Sequence, residues 1–196
     1  MIGTDDFVFI HLPKTGGTFV TDCIRKAYTR NSADLLVHRL GRRGLKLPGY
    51  PYRYRHIGSQ HAMRRQIPSE FQALPIWTCV RDPASSYRSH YQFAWWRDHP
   101  GRWFGNEAEL GEAYPHFPEL SLADFVEATN RFHPRIRRSS QHFPDMGMLS
   151  LEFMHFFAAD IDELRDGLTA ESLLECFLAQ TREIVWLRQS ALAEDL

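Results

Sequence analysis

Between residues 11 and 18 the chain sets a lysine, two adjacent glycines and two threonines in one run, His11-Leu12-Pro13-Lys14-Thr15-Gly16-Gly17-Thr18. Glycines at a turn let backbone N–H groups approach phosphate oxygens, and a helix that begins there adds the partial positive charge of its N-terminus. Lys14 brings a full charge, and Thr15 and Thr18 bring hydroxyl donors. Binding of a phosphate-like anion is the chemistry these residue types suit. In the common nucleoside triphosphate loop, G-x-x-x-x-G-K-[ST], the lysine follows the last glycine. Here Lys14 precedes both glycines and Thr18 follows Gly17, which disfavours ordinary ATP or GTP binding. A plain strand-to-helix connection carrying a surface lysine would read the same way.

A second group lies about sixty residues on: Val80-Arg81-Asp82-Pro83, then Ser89 and Tyr91. The guanidinium of Arg81 is a fork of donors matched to phosphate, and Ser89 falls about two turns along the helix that Arg81 introduces. Taken singly, Arg81 reads equally as a partner of Asp82 or of a helix end, and Ser89 as a mid-helix polar residue. Ten histidines offer proton acceptors that titrate near neutrality. His61, in Gly58-Ser59-Gln60-His61-Ala62-Met63, and His56, in Tyr54-Arg55-His56-Ile57-Gly58, are the candidates for a base. Glu70, or a histidine between 97 and 120, is the alternative, and any one histidine can be structural. His11, directly before the loop, is expected to shape it.

The elements that would position these groups are legible in part. Asp6-Phe7-Val8-Phe9-Ile10-His11 is a short apolar run before a Pro/Gly loop and predicts a buried strand. From Thr18 to Arg30 the apolar residues Phe19, Val20, Cys23, Ile24 and Ala27 recur at helical spacing. Residues 31–55 read as an excursion with at most a short strand near Leu35-Leu36-Val37, and Ser59 to Gln66 as a brief helix. Pro75 to Val80 is apolar throughout, as a strand covered on both faces should be. Asp82 then caps, with Pro83 at the first position, a helix expected to reach about Trp96. Residues 97–120 read as a long loop or lid. Helices follow from Ser121 to about Arg131 and from Thr169 to about Gln180, with a final strand over Glu183 to Leu187. Two strand-to-helix units predict an α/β fold.

With the residues in view, Phe9-Ile10-His11-Leu12-Pro13-Lys14-Thr15-Gly16-Gly17-Thr18-Phe19 resembles the 5′-phosphosulfate loop of sulfotransferases that use 3′-phosphoadenosine 5′-phosphosulfate (PAPS). It is most similar to the carbohydrate-modifying branch, of heparan and chondroitin type, as a short, bacterial-type member. The resemblance implies a P-loop-like three-layer fold whose mainly parallel sheet is flanked by helices, in a single domain over 1–196. It implies that Lys14 contacts the phosphosulfate and its bridging oxygen, and that Thr15, Gly16, Gly17, Thr18 and Phe19 hold the 5′-phosphate end. Arg81 and Ser89, often with a tyrosine at the place of Tyr91, would bind the 3′-phosphate. Many carbohydrate sulfotransferases carry a second arginine where this chain has Ser86, a place Arg88 could serve from the next turn. A histidine at about the distance of His61 upstream of Arg81 is frequent in the family, which favours His61 over His56 as base. The acceptor would be a hydroxyl of a small molecule or glycan, a carbohydrate first. Similarity covers about 6–30 and 56–93, with fainter traces at Ser140-Gln141 and Trp186 to Leu196. In the family the last stretch leads into further helices and a cofactor-contacting loop, so a minimal or C-terminally truncated enzyme is expected. Two other readings stay open: a degenerate, non-catalytic nucleotide-binding module, and an atypical P-loop small-molecule kinase that needs Mg²⁺.

Composition bounds these readings. With 196 residues, 43% of them apolar, the chain can bury the core of a packed domain. No run of about eighteen apolar residues and no charged-then-apolar leader occurs, so neither a membrane span nor a secretion signal is expected. Cys23, Cys79 and Cys176 stand far apart, which argues against a zinc site or disulfide framework and for a reducing cytoplasm. No metal and no nucleic-acid partner is expected, and oligomeric state is left open. Residues 1–105 hold 16 Lys/Arg against 7 Asp/Glu, or +9, whereas 106–196 hold 7 against 17, or −10. The basic half, with its arginines between 39 and 65, suits an anionic ligand, or else is a solvated face that partly pairs with the acidic half. Trp95, Trp96, Trp103, Phe104, Tyr114 and Phe117 suit either aromatic platforms for sugar rings or core packing.

Overall fold

The computed structural model describes residues 1–29, 32–42, 45, 53–134, 146–158, 170–181 and 183–196. The chain divides into two compact units, one of Met1–Arg81 with Thr181–Leu196, the other of Asp82–Gln180. The expected traces at Ser140-Gln141 fall outside the described residues.

The first unit is α/β. Five strands, β1 (Ile2–Thr4), β2 (Val8–Ile10), β3 (Tyr54–His56), β4 (Ile76–Val80) and β5 (Ile184–Arg188), form one sheet in the order β3-β1-β2-β4-β5. β2, β4 and β5 run parallel, pairing Val8 with Ile76 and Ile76 with Ile184. β1 is antiparallel to both β2 and β3, with Ile2 opposite Phe9 and His56. The sheet is therefore mixed, where the sequence reading expects a mainly parallel one. β1 and β3 escape pattern reading because each is three residues long and β3 carries Arg55 and His56 outward on an edge.

Helix α1 (Gly17–Tyr28) follows β2 and packs Val20 and Ile24 into a core with Ile2, Phe9, Tyr54, Cys79 and Leu187. Helix α2 (Ser32–Arg42) stands where a short strand near Leu35-Leu36-Val37 was expected. Leu36 and Leu40 are four apart and Val37 and Leu40 three apart, a helical spacing that outweighs the short apolar run. In place of a helix over 59–66 there is a turn at Gln60-His61 and a 3₁₀ turn over Arg64–Gln66.

The second unit is helical. Asp82 caps α3 (Pro83–Phe93), its side chain accepting from the Ser85 N–H at 2.9 Å. The helix stops short of Trp96 because Ala94 turns left-handed, with φ 54°. The expected lid over 97–120 is instead largely helical: α4 (Trp95–Asp98), α5 (Pro100–Trp103) and α6 (Glu107–Ala113). Trp96, Phe104 and Tyr114 are buried with Leu110, Leu120, Phe125 and Phe132, so these aromatics are core and not an exposed platform. Helix α7 (Leu122–Phe132) starts on the reciprocal Ser121–Asp124 capping pair. Helices α8 (Met148–Phe157) and α9 (Ala170–Gln180) complete the unit, and a last short turn, α10 (Leu192–Asp195), belongs to the first. Among the described residues no helix is long and apolar enough to cross a membrane.

Candidate functional site

The carboxyl ends of β2, β4 and β5 lie side by side in the first unit, and the segments leaving them meet. Ligands of open α/β sheets bind at such strand ends. The segment leaving β2 is the loop 11–16. Thr78 on β4 donates its hydroxyl to the Ile10 carbonyl at 2.8 Å, tying the end of β2 to its neighbour. Thr15 is 2% exposed and its hydroxyl donates to the Leu12 carbonyl at 2.9 Å, so it closes the loop from within instead of facing outward.

Two backbone conformations make the loop unusual. Lys14 sits at φ 61° and Gly16 at φ 91°, both left-handed. Gly16 tolerates this because it has no Cβ, whereas Lys14 pays steric strain of about 1–2 kcal/mol. Gly16 is also the N-cap of α1 and receives the N–H of Phe19 at 3.0 Å. Gly17 opens the helix, and a methyl group there would lie 2.2 Å from His11 Cδ2 and 2.5 Å from His11 Nε2. Only glycine lets the imidazole lie against the start of α1. Thr18 and Phe19 are exposed on the first turn, Phe19 53% so.

Arg81, at the end of β4, reaches the loop: its Nη1 donates to the Lys14 carbonyl at 3.1 Å. Its Nε is buried and has no hydrogen-bond partner among the described residues. A buried N–H left unpaired costs about 1–3 kcal/mol. An anion cupped by the loop would supply the missing acceptor. Burial, and then the nearby Arg81 charge, hold the Lys14 ammonium below its ordinary range. That repulsion between two cations is what an anion would relieve.

His61 also belongs to this cluster. Its Nδ1 lies 3.0 Å from the His11 carbonyl, and its ring meets that of His11 edge to face at a centroid distance of 5.0 Å. The neighbouring Gln60 places Nε2 3.0 Å from His11 Nδ1. The turn is pinned by the Met1 ammonium, which donates to the Ser59 and Gln60 carbonyls at 2.8 Å each. His11 is 6% exposed, and burial, followed by the charges of His61 and the N-terminus, pushes its pKa down to about 4. His56 lies apart on the edge strand β3, two strands from β2, and Glu70 faces Arg55 at 3.8 Å.

Pattern reading missed Gln189 and Leu192. The segment leaving β5 brings Leu192 Cδ1 and Gln189 Cγ to 3.0 and 3.3 Å from where a Cβ on Gly16 would stand. Arg188 anchors this segment, donating Nη2 to Asp195 at 2.7 Å. The strand over 183–187 was legible, so the residues beyond its carboxyl end were open to the strand-end argument.

Ser89, Arg88 and Tyr91 belong to α3 in the second unit. Ser89 is half-buried and Arg88 exposed. Tyr91 is committed to the core, its hydroxyl donating to the Leu120 carbonyl at 2.8 Å and its ring packed against Trp96 and Phe125. Ser86 is buried. Among the described residues no group of three or more His, Cys, Asp or Glu could hold a metal ion.

No protein-family model, no curated protein and no solved structure matches this chain.

Proposed function

We propose that the chain is a PAPS-dependent sulfotransferase of P-loop-like fold that acts on a hydroxyl acceptor, a carbohydrate first. The observation that carries this reading is the buried Nε of Arg81, without a partner among the described residues, beside a loop whose lysine it already contacts. That arrangement is short of one acceptor, and an anion of the phosphosulfate kind is one that Lys14, Gly16, Gly17, Thr18 and Arg81 together suit. Lys14, Gly16, Gly17 and Thr18 belong to the set that the loop resemblance implies for the donor's 5′ end, whereas Thr15 turns inward; Arg81 and Ser89 are kept as the residues the resemblance implies for the 3′-phosphate.

PAPS would supply an activated sulfuryl group. His61 would take the acceptor's hydroxyl proton while the acceptor oxygen bonds to sulfur and the bond from sulfur to the phosphate oxygen breaks. Lys14 would stabilise the charge left on that phosphate oxygen. Loop and strand ends would fix the line of attack, which is most of the catalysis in such transfers. The test is calorimetry in EDTA with 3′,5′-adenosine bisphosphate beside 5′-AMP and ATP. Metal-free binding that needs the 3′-phosphate and is lost in Arg81→Ala supports the reading. Mg²⁺-dependent preference for ATP, or no binding of the bisphosphate, overturns it.

A further inference from the structure

We propose that His11 and Gln60 form a positioning device that fixes His61 as the Nδ1–H tautomer with Nε2 open as the proton acceptor. The catalytic part of this inference rests on the sulfotransferase reading; the tautomers do not. Each ring nitrogen is assigned by what it faces. A carbonyl oxygen can only accept, so His61 Nδ1, 3.0 Å from the His11 carbonyl, must carry the proton. The lone pair is thereby placed on Nε2, which makes no hydrogen bond with the described residues, and His61 is exposed. An amide nitrogen can only donate, so His11 Nδ1, 3.0 Å from Gln60 Nε2, must accept, and the proton of His11 sits on Nε2 against Gly17. Two adjacent imidazoles are thus held in opposite tautomers by one carbonyl and one amide.

The device is rigid for identifiable reasons. The His11 ring is wedged against Gly17, which has no room for a Cβ, and Gln60 and His61 are consecutive, so the residue that grips the ring also sets the start of His61. The edge-to-face contact of the two rings adds a second restraint. Burial pushes the pKa of His11 down to about 4, which agrees with a ring that stays neutral. A histidine base whose distal N–H is held by a backbone carbonyl is prepared for one direction of proton transfer.

The experiment is a long-range ¹H–¹⁵N spectrum of the imidazoles in the full chain at pH 7, with His61→Ala identifying the His61 signals. His61 protonated on Nδ1 and His11 protonated on Nε2 are expected. Gln60 is exposed, so its substitution leaves the core intact. Gln60→Glu replaces the donor with an acceptor and should move the His11 proton to Nδ1. Gln60→Leu should lower kcat by about tenfold or more while affinity for 3′,5′-adenosine bisphosphate stays within about twofold, the split expected of a misplaced base. A wild-type His61 protonated on Nε2, a His11 indifferent to both Gln60 substitutions, or an unchanged kcat would overturn the proposal. Failure of the bisphosphate to bind would sink the sulfotransferase reading and leave the imidazole spectrum to decide this one.

Discussion

Gly17→Ala tests whether the loop, His11 and the Gln60-His61 turn are one mechanical unit. The added methyl carbon would stand 2.2, 2.5 and 2.8 Å from Cδ2, Nε2 and Cγ of His11. Ordinary carbon contacts lie at about 3.5–4.0 Å, so the ring must retreat by more than about 1 Å. It is buried and gripped at Nδ1 by Gln60, which leaves little free retreat. Overpacking of this kind costs about 1–3 kcal/mol, and a broken Gln60–His11 bond adds about 0.5–1.5 kcal/mol. The helix propensity gained on replacing glycine returns up to about 1 kcal/mol. The net expectation is a loss of about 1–3 kcal/mol, which for a chain of this size lowers the melting temperature by about 2–4 °C per kcal/mol. Guanidinium unfolding followed by circular dichroism gives the stability, and the His11 imidazole signals give the local displacement. An unfolding midpoint at or above wild type, with His11 signals unmoved, would refute the packing argument.

Lys14→Gly and Lys14→Ala should both weaken binding of 3′,5′-adenosine bisphosphate more than tenfold in calorimetry. Because glycine removes the left-handed strain at φ 61° that alanine keeps, Lys14→Gly should unfold at the higher denaturant concentration of the two, and the reverse order would contradict the strain. His11 binds its proton below about pH 4 when folded and near 6.5 when unfolded, so the unfolded chain gains the proton first as pH falls. Stability should therefore drop between about pH 6.5 and 4 by up to about 3 kcal/mol from this group, and urea midpoints for His11→Phe should show a shallower decline over that window. Burial pushes the Cys79 thiol up to about 12, so iodoacetamide at pH 8 should leave Cys79 unmodified in the folded chain, as peptide mass spectrometry would show.

What pattern reading reaches is local. The apolar run from Asp6 to His11, the glycines and the periodicity after Thr18 hold a strand at Val8–Ile10, a turn and a helix in adjacent residues, and Pro75 to Val80 with Asp82 and Pro83 repeats the plan. It fails where length or partnership decides. β1 and β3 are each too short to show an alternation, and they become strands by pairing with one another. The aromatics between 95 and 117 lie among glycines and prolines that suggest a loop, yet their burial against α7 folds the segment into short helices. The site divides the same way. Lys14 and its loop are visible in eight consecutive residues, whereas Gln60 against His11 spans 49 positions and Gln189 against Gly16 far more. Such contacts follow from strand order, which no local pattern contains.

Local strain marks the same loop independently of any resemblance. Proteins satisfy local rules nearly everywhere and break them where function demands it. In the first unit a lysine held at positive φ and a guanidinium Nε buried without a partner occur within one hydrogen bond of each other. A buried histidine lies against the adjoining helix start, where no side chain fits. Each of the first two costs on the order of 1–3 kcal/mol against a net stability of about 5–15 kcal/mol. At the carboxyl ends of β2 and β4 a bound anion would offset both, giving the guanidinium an acceptor beside the lysine it contacts. Anion binding should accordingly raise the unfolding midpoint of the wild-type chain and leave that of Arg81→Ala nearly unchanged, and equal stabilisation of both would separate the strain from the ligand.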